Sequence, residues 1–170
     1  MDDTAQSFAK AGAVVAELGN IESGFKNPAS LKGSQEWLCA ASSYFQGAYY
    51  SSLIAYSFFI NKANMAVYVP FKMINDIPET IYEWGQAKQI SSYSETQLSP
   101  RLSLSYPLGP FHAGATLAYD RHSLFNQYGE KLSMDLGAVY THSFFSLGLS
   151  SQNLISTPFM CLREDKNHKQ

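Results

Sequence analysis

The sequence predicts an all-β protein, an antiparallel up-and-down transmembrane β-barrel of about seven strands with a short N-terminal helical plug. Three observations carry this. The first is two-residue alternation: Leu98, Pro100, Leu102, Leu104 and Tyr106 fall on one side of a strand, with Ser99, Arg101, Ser103 and Ser105 on the other. The return arm repeats it, with Phe111, Ala113, Ala115, Leu117 and Tyr119 set against His112, Gly114, Thr116, Ala118 and Asp120. The second is composition: charged residues are 15% and aromatics 14% of the 170 residues, where soluble domains carry roughly 25% charge. The third is the connections, tight at Asn61 to Asn64, Pro107 to Pro110 and His142-Ser143 but long at Ile74 to Glu95 and Arg121 to Glu130. Short turns on one rim and long loops on the other are the habit of outer-membrane barrels.

Taken in order, the chain divides into a plug segment (1–33), a meander of strands (34–155) and a polar C-terminal tail (156–170), expected to be disordered. The plug begins with a helical or irregular stretch, Ala5 to Leu18, stopped by Gly19-Asn20. A second short element, Ile21 to Leu31, contains Asn27-Pro28, an ordinary turn starter. Strands are expected near Glu36 to Phe45, Ala48 to Ile60 and Met65 to Met73, the last with a kink, bulge or edge position at Pro70, which has no ladder donor. In the long connection after it, Asn75-Asp76 caps an expected short helix from Pro78 to Lys88, with Ile81, Tyr82 and Trp84 as its apolar contacts. The hairpin of Gln97 to Tyr119 follows, and then strands at Leu132 to Thr141 and Phe144 to Leu154.

Alternation alone allows two homes for such strands. In a soluble lipid-binding barrel the apolar face points inward, whereas in an outer-membrane barrel it points to lipid and the polar face lines the lumen. The membrane reading places Leu102, Leu104, Ala115, Leu117, Leu136 and Leu147 toward lipid. Lys72, Arg101, Ser103, His112, Thr116, Asp120 and Asp135 then face the lumen. It also folds the segment up to Leu31 back inside the sheet, with Phe25, Pro28 and Leu31 against Leu53, Ala55 and Tyr68.

Other function classes find little support. A net charge of -2 gives no case for nucleic acid, and phosphate loops are absent. Ser99, Ser103, Ser105, His112 and Asp120 share a face, but no Gly-x-Ser-x-Gly elbow surrounds a serine, so no catalytic residue and no enzyme activity is assigned. His112, His122, His142 and His168 lack ligand spacing, and Cys39 and Cys161 lack metal or redox spacing, so neither a metal nor a cofactor is expected. Met1-Asp2-Asp3-Thr4 is acidic and opens no apolar signal core, so a barrel reading expects a leader that is not part of this chain.

Ala11-Gly12-Ala13-Val14-Val15-Ala16, then Asn20, Gly24-Phe25 and Asn27-Pro28-Ala29-Ser30-Leu31 resemble the N-terminal signature of the FadL-type and PorV-type outer-membrane barrels. Met134-Asp135-Leu136-Gly137-Ala138-Val139-Tyr140 with Leu147-Gly148-Leu149-Ser150-Ser151-Gln152-Asn153-Leu154 is similar to paired strands of uncharacterised members. The resemblance implies a lumenal plug whose motif is Asn27, Pro28 and Ala29, flanked by Phe25 and Leu31. It implies a location among outer-membrane lipid and a hydrophobic small-molecule partner such as a fatty acid, or, in PorV-type members, handling of secreted proteins. It also makes Pro70 a candidate for the distorted strand that opens laterally in FadL-type barrels. The expected seven strands are half of the family's barrel, and the tail lacks both alternation and a terminal aromatic. The chain therefore reads as an N-terminal half-barrel from a truncated or frame-shifted product.

Overall fold

The computed structural model describes residues 15–33, 35–124, 127–158 and 160–163. A short helix α1 (Ile21–Lys26) and a 3-10 turn (Pro28–Ser30) precede nine strands. These are β1 (Glu36–Tyr44), β2 (Tyr49–Ile60), β3 (Ala63–Glu83), β4 (Gln86–Leu98) and β5 (Arg101–Leu108), then β6 (Phe111–Leu124), β7 (Gln127–His142), β8 (Phe145–Ser156) and β9 (Met160–Arg163). All belong to one antiparallel sheet. Because β4 and β5 both lie between β3 and β6, and β8 and β9 both pair with β7, the nine strands fill seven positions, as the alternation predicts. Among the described residues β1 pairs only with β2, and β8 and β9 only with β7. No helix among them is long and apolar enough to cross a membrane, a statement that does not bear on strands.

The stretch expected as a helix from Pro78 to Lys88 is instead the end of a long ribbon. Asp76, with φ of 56°, sits at a register shift between Ile74 and Ile77 and bulges the strand where a helix cap was expected. The β-branched and aromatic residues Ile77, Thr80, Ile81 and Tyr82 then continue β3 to a tight turn at Trp84-Gly85, both at positive φ, the geometry that joins twisted strands. Pro78 is tolerated because β2 begins at Tyr49 opposite Ile74, so β3 beyond that point has one free edge. The loop expected at Arg121 to Glu130 is likewise mostly strand, with β6 and β7 paired from Phe111↔Tyr140 to Leu124↔Gln127, so the two connections expected to be long are hairpins and the expected contrast between a short-turn and a long-loop rim is not found. In the tail, Met160–Arg163 pairs with β7 as β9, while 164–170 lie outside the described residues, as does most of the Ala5 to Leu18 stretch.

Pro70 does not kink β3, which keeps its register with β2 through Leu53↔Pro70. The irregularity lies in the neighbouring position, where β4 stops at Leu98 and β5 starts at Arg101 in the same register. Ser99 N–H donates to the Pro70 carbonyl at 3.1 Å, and Tyr119 N–H donates to the Pro100 carbonyl at 3.0 Å. Neither proline can return its bond, so the ladder is thinned on both sides of this one segment.

The two faces of the sheet differ as the alternation requires. Leu102, Leu104, Leu117, Leu136 and Leu147 are exposed, Leu147 to 63%, whereas Ser103, Ser105, Thr116 and Asp135 are buried. The covered face is thus the small polar one. Its cover is the N-terminal segment, whose Ile21, Phe25 and Leu31 form one apolar cluster with Leu53, Ala55, Ala66 and Tyr68.

Candidate functional site: the plug and its cradle

Local capping shapes the plug. Asn20 caps α1 by accepting the Glu22 N–H at 2.8 Å. Asn27 ends the helix, with its own N–H bonded to the Ser23 carbonyl, and begins the 3-10 turn by accepting the Ala29 N–H at 3.1 Å. Pro28 at the first position of that turn supplies the fixed φ it needs. The Asn27 amide also donates to the Val15 carbonyl at 2.7 Å and the Ala138 carbonyl of β7 at 3.4 Å, so a single fully buried side chain ties three segments together.

The sheet holds this segment by its backbone. Tyr68 donates to the Ile21 carbonyl at 2.7 Å, Asn64 to Leu31 at 3.3 Å and Ser105 to Ala29 at 3.2 Å. Ser150 and Gln152 both reach the Lys26 carbonyl, at 2.9 and 3.5 Å. Carbonyls that a short irregular segment would otherwise bury unpaired are satisfied in this way. Replacing Tyr68 by phenylalanine keeps the edge-on contact with Phe25, at 5.3 Å between ring centroids, but removes the second bond to the Ile21 carbonyl, which the helix also engages. The expected loss is about 0.5–1.5 kcal/mol, measurable as a shift in the urea midpoint with unchanged slope; an unshifted midpoint would show that this bond adds nothing.

Close approach requires a floor without side chains. Ser105, Gly114, Gly137 and Ser150 lie in one row across β5, β6, β7 and β8, through the pairs Ser105↔Gly114, Gly114↔Gly137 and Gly137↔Ser150. A Cβ on Gly114 would overlap the Pro28 and Ala29 backbone, and one on Gly137 would overlap the Asn27 side chain. Sequence reading found the plug motif and its apolar partners but not this row, whose members are separated in the chain and become neighbours only through register.

The remaining lumen candidates separate into groups. Arg101 stacks its guanidinium 4.8 Å over the Phe25 ring and lies 3.9 Å from the Asp135 carboxylate. Asp135 in turn accepts the Asn153 N–H at 2.7 Å across a β7–β8 register shift, so the two quoted strand motifs meet here. Ser103 and Thr116 share a hydrogen bond of 2.6 Å between them. Lys72 shares a small pocket with Phe25 and Arg101. His112 lies near the Gly109-Pro110 turn, opposite Val139, with its Nδ1 buried and lacking a hydrogen-bond partner. Asp120 sits one inward position beyond Ala118, opposite Lys131. The serines weighed as nucleophiles are not brought together with His112 and an acid; Ser99 accepts from Gln97, and Ser103 and Ser105 are engaged as described.

These features define a class, an antiparallel sheet whose small polar face is filled by an N-terminal plug and whose apolar face is left open. Comparison with protein-family models, with curated proteins and with solved structures finds no match for this chain.

Proposed function

We propose that this chain forms wall and plug of an outer-membrane β-barrel of the FadL-like type, which passes hydrophobic small molecules such as long-chain fatty acids. The observation that carries the reading is the inversion of faces: leucines stand exposed on the sheet face away from the plug while serine, threonine and aspartate are buried on the face beneath it. A soluble lipid carrier needs the reverse, with apolar stripes lining its cavity. Of the strands, β1 with 9 residues and β2 with 12 are close to the roughly 9–11 that cross a bilayer, while β3 with 21 and β7 with 16 run beyond that length. Aromatic rings gather near the turns at Gly109-Pro110 and Ser143-Phe144, where Phe111, Tyr140 and Phe145 follow one another at 4.7 and 5.9 Å, as in an interfacial girdle.

In this reading the segment from Val15 to Leu31 obstructs the passage, and the thinned ladder at Pro70 and Ser99-Pro100 is the weakest part of the wall and the place for a lateral exit. Spin labels at Leu104 and Leu117 should report lipid, and labels at Ser103 and Thr116 should not, when the protein is folded into vesicles. Water at the leucine positions would overturn the proposal.

A second reading, a PorV-like scaffold for secreted proteins, draws on the β3–β4 ribbon. Its tip carries Tyr82 and Trp84, 80% and 97% exposed, and two strands alone are marginally stable in water. Loss of client-protein capture with retained fatty-acid binding after shortening the ribbon would favour that reading.

A further inference from the structure

We infer that the cleft between the β3–β4 ribbon and the end of the β6–β7 hairpin is a binding site for a small organic cation, with Glu79 as its counter-charge and Tyr93 and Leu124 as its apolar walls. The inference goes beyond the passage reading and does not rest on it. The cleft lies on the ribbon side of Ser99-Pro100, whereas the hydrogen bonds that hold the plug, from Asn64, Tyr68, Ser105 and Ser150, lie on the other side.

Register builds this cleft. In the lower part of β3 the even-numbered residues, among them Ala66 and Tyr68, share the face of the plug. One extra residue at the Asp76 bulge, between Ile74↔Glu95 and Ile77↔Tyr93, reverses that phase, because a one-residue slip sends every following side chain to the other face. Glu79 would otherwise stand on the opposite face with Phe71 and Met73. The bulge carries it to the face of Tyr93 and Glu95, through the pairs Ile77↔Tyr93 and Glu79↔Ser91. Glu95 pairs with Leu124 at the end of β6, and Leu124 pairs with Gln127 at the start of β7. Beyond Glu95↔Leu124 ribbon and hairpin are no longer paired, and a cavity of about 260 Å³ opens between them, lined by Glu79, Tyr93, Leu124 and Gln127.

The lining carries one charge, and it is negative. Ser91 donates its hydroxyl to one oxygen of Glu79 and so orients the carboxylate, whose other oxygen accepts no hydrogen bond among the described residues. No basic side chain lines the cleft. Those of the adjoining strands are engaged: His122 lies 3.8 Å from Glu95, Lys131 donates to Asn153 at 3.1 Å, and Arg121 stacks 5.1 Å over the Tyr128 ring. A carboxylate alone holds any cation weakly in water. An aromatic ring and a leucine beside it select a cation with apolar surface, since a weakly hydrated ammonium is attracted to the face of the ring. Gln127 adds a carboxamide oxygen for an N–H or O–H of the same ligand. The volume is just below the roughly 300–1,000 Å³ of drug-sized pockets, which suits a small ion. A fatty-acid carboxylate is repelled by Glu79, so this ligand and that of the passage differ in charge.

The test is a saturation-transfer NMR titration of the full chain, folded in deuterated neutral-detergent micelles, with choline and with 3,3-dimethylbutan-1-ol, which has the same shape and no charge. Choline is expected to bind about tenfold more tightly than the alcohol, the scale of one charged contact beside an aromatic face. Glu79→Gln should remove about that factor for choline and leave the alcohol unchanged. Tyr93→Leu, which keeps an apolar wall but removes the ring, should weaken choline about two- to fivefold. Protection of Lys26 from trypsin reports that each variant keeps its fold. Equal binding of choline and the alcohol, or choline binding insensitive to Glu79→Gln, would overturn the cation site. Unchanged affinity in Tyr93→Leu would overturn the part given to the ring, and failure of both probes to bind would overturn the cleft as a site. Each of these outcomes leaves the passage reading untouched, so the two fail separately.

Discussion

Replacing Gly137 by valine is expected to drive the plug off the sheet. A Cβ at this position would occupy the space of the Asn27 side chain and press on Pro28, and Asn27 is the residue that joins helix, 3-10 turn and β7. The floor has no slack, because Gly114 beside it meets the Pro28 and Ala29 backbone just as closely. Once the turn lifts, Phe25 and Leu31 lose their cover, each worth roughly 1.5–3 kcal/mol. Trypsin should then cut after Lys26, which is half-buried in the intact protein, while the strands keep their far-ultraviolet signature. Ala113→Val, on the opposite face of β6 and exposed, serves as the control of equal bulk. Continued protection of Lys26 in Gly137→Val would mean that the cradle does not hold the plug.

The second large effect is a charge on the outer face. Leu104 lies mid-strand in β5 between Met65 of β3 and Ala115 of β6, and it is 44% exposed. If that surface meets hydrocarbon, Leu104→Arg should cost about 2–4 kcal/mol, and Leu108→Arg, next to the Gly109-Pro110 turn, only about 0–1. In water an arginine replacing an exposed leucine would change stability by roughly 0.5 kcal/mol or less. Urea unfolding from phosphatidylcholine vesicles separates the two cases by the difference between the two variants. Equal and small losses would place the leucine face in water and remove the main support for the membrane proposal.

Much of this fold was legible because alternation is a local property. The assignment of Leu102, Leu104 and Leu117 to one face and Ser103 and Thr116 to the other needs only the pleat. Phe25 and Leu31 on Leu53, Ala55 and Tyr68 followed from an apolar segment joined to the first strand. The ribbon from Ile77 to Glu83 was misread because Asn75-Asp76 and Pro78 imitate a helix start; a bulge and a free strand edge use the same residues. The cradle was hidden for another reason. Gly114 and Gly137 are 23 positions apart in the chain, and only the β6–β7 register makes them one surface. The Arg101, Phe25 and Asp135 contacts were equally out of reach, since they join β5, the plug and β7.

The bonds that seat the plug span most of the chain: Ser150 to the Lys26 carbonyl covers 124 residues, and Asn27 to the Ala138 carbonyl covers 111. Closing loops of that length comes late, because the entropy is lost before any contact returns it. The contacts of Asn27 with β7 and of the Lys26 carbonyl with β8 therefore form only after those strands are in place. A sheet stalled before β7 still has Tyr68, Asn64 and Ser105 to grip the plug but lacks Gly137, against which Asn27 seats. Seating of Asn27 thus reports that the sheet has been laid as far as β7.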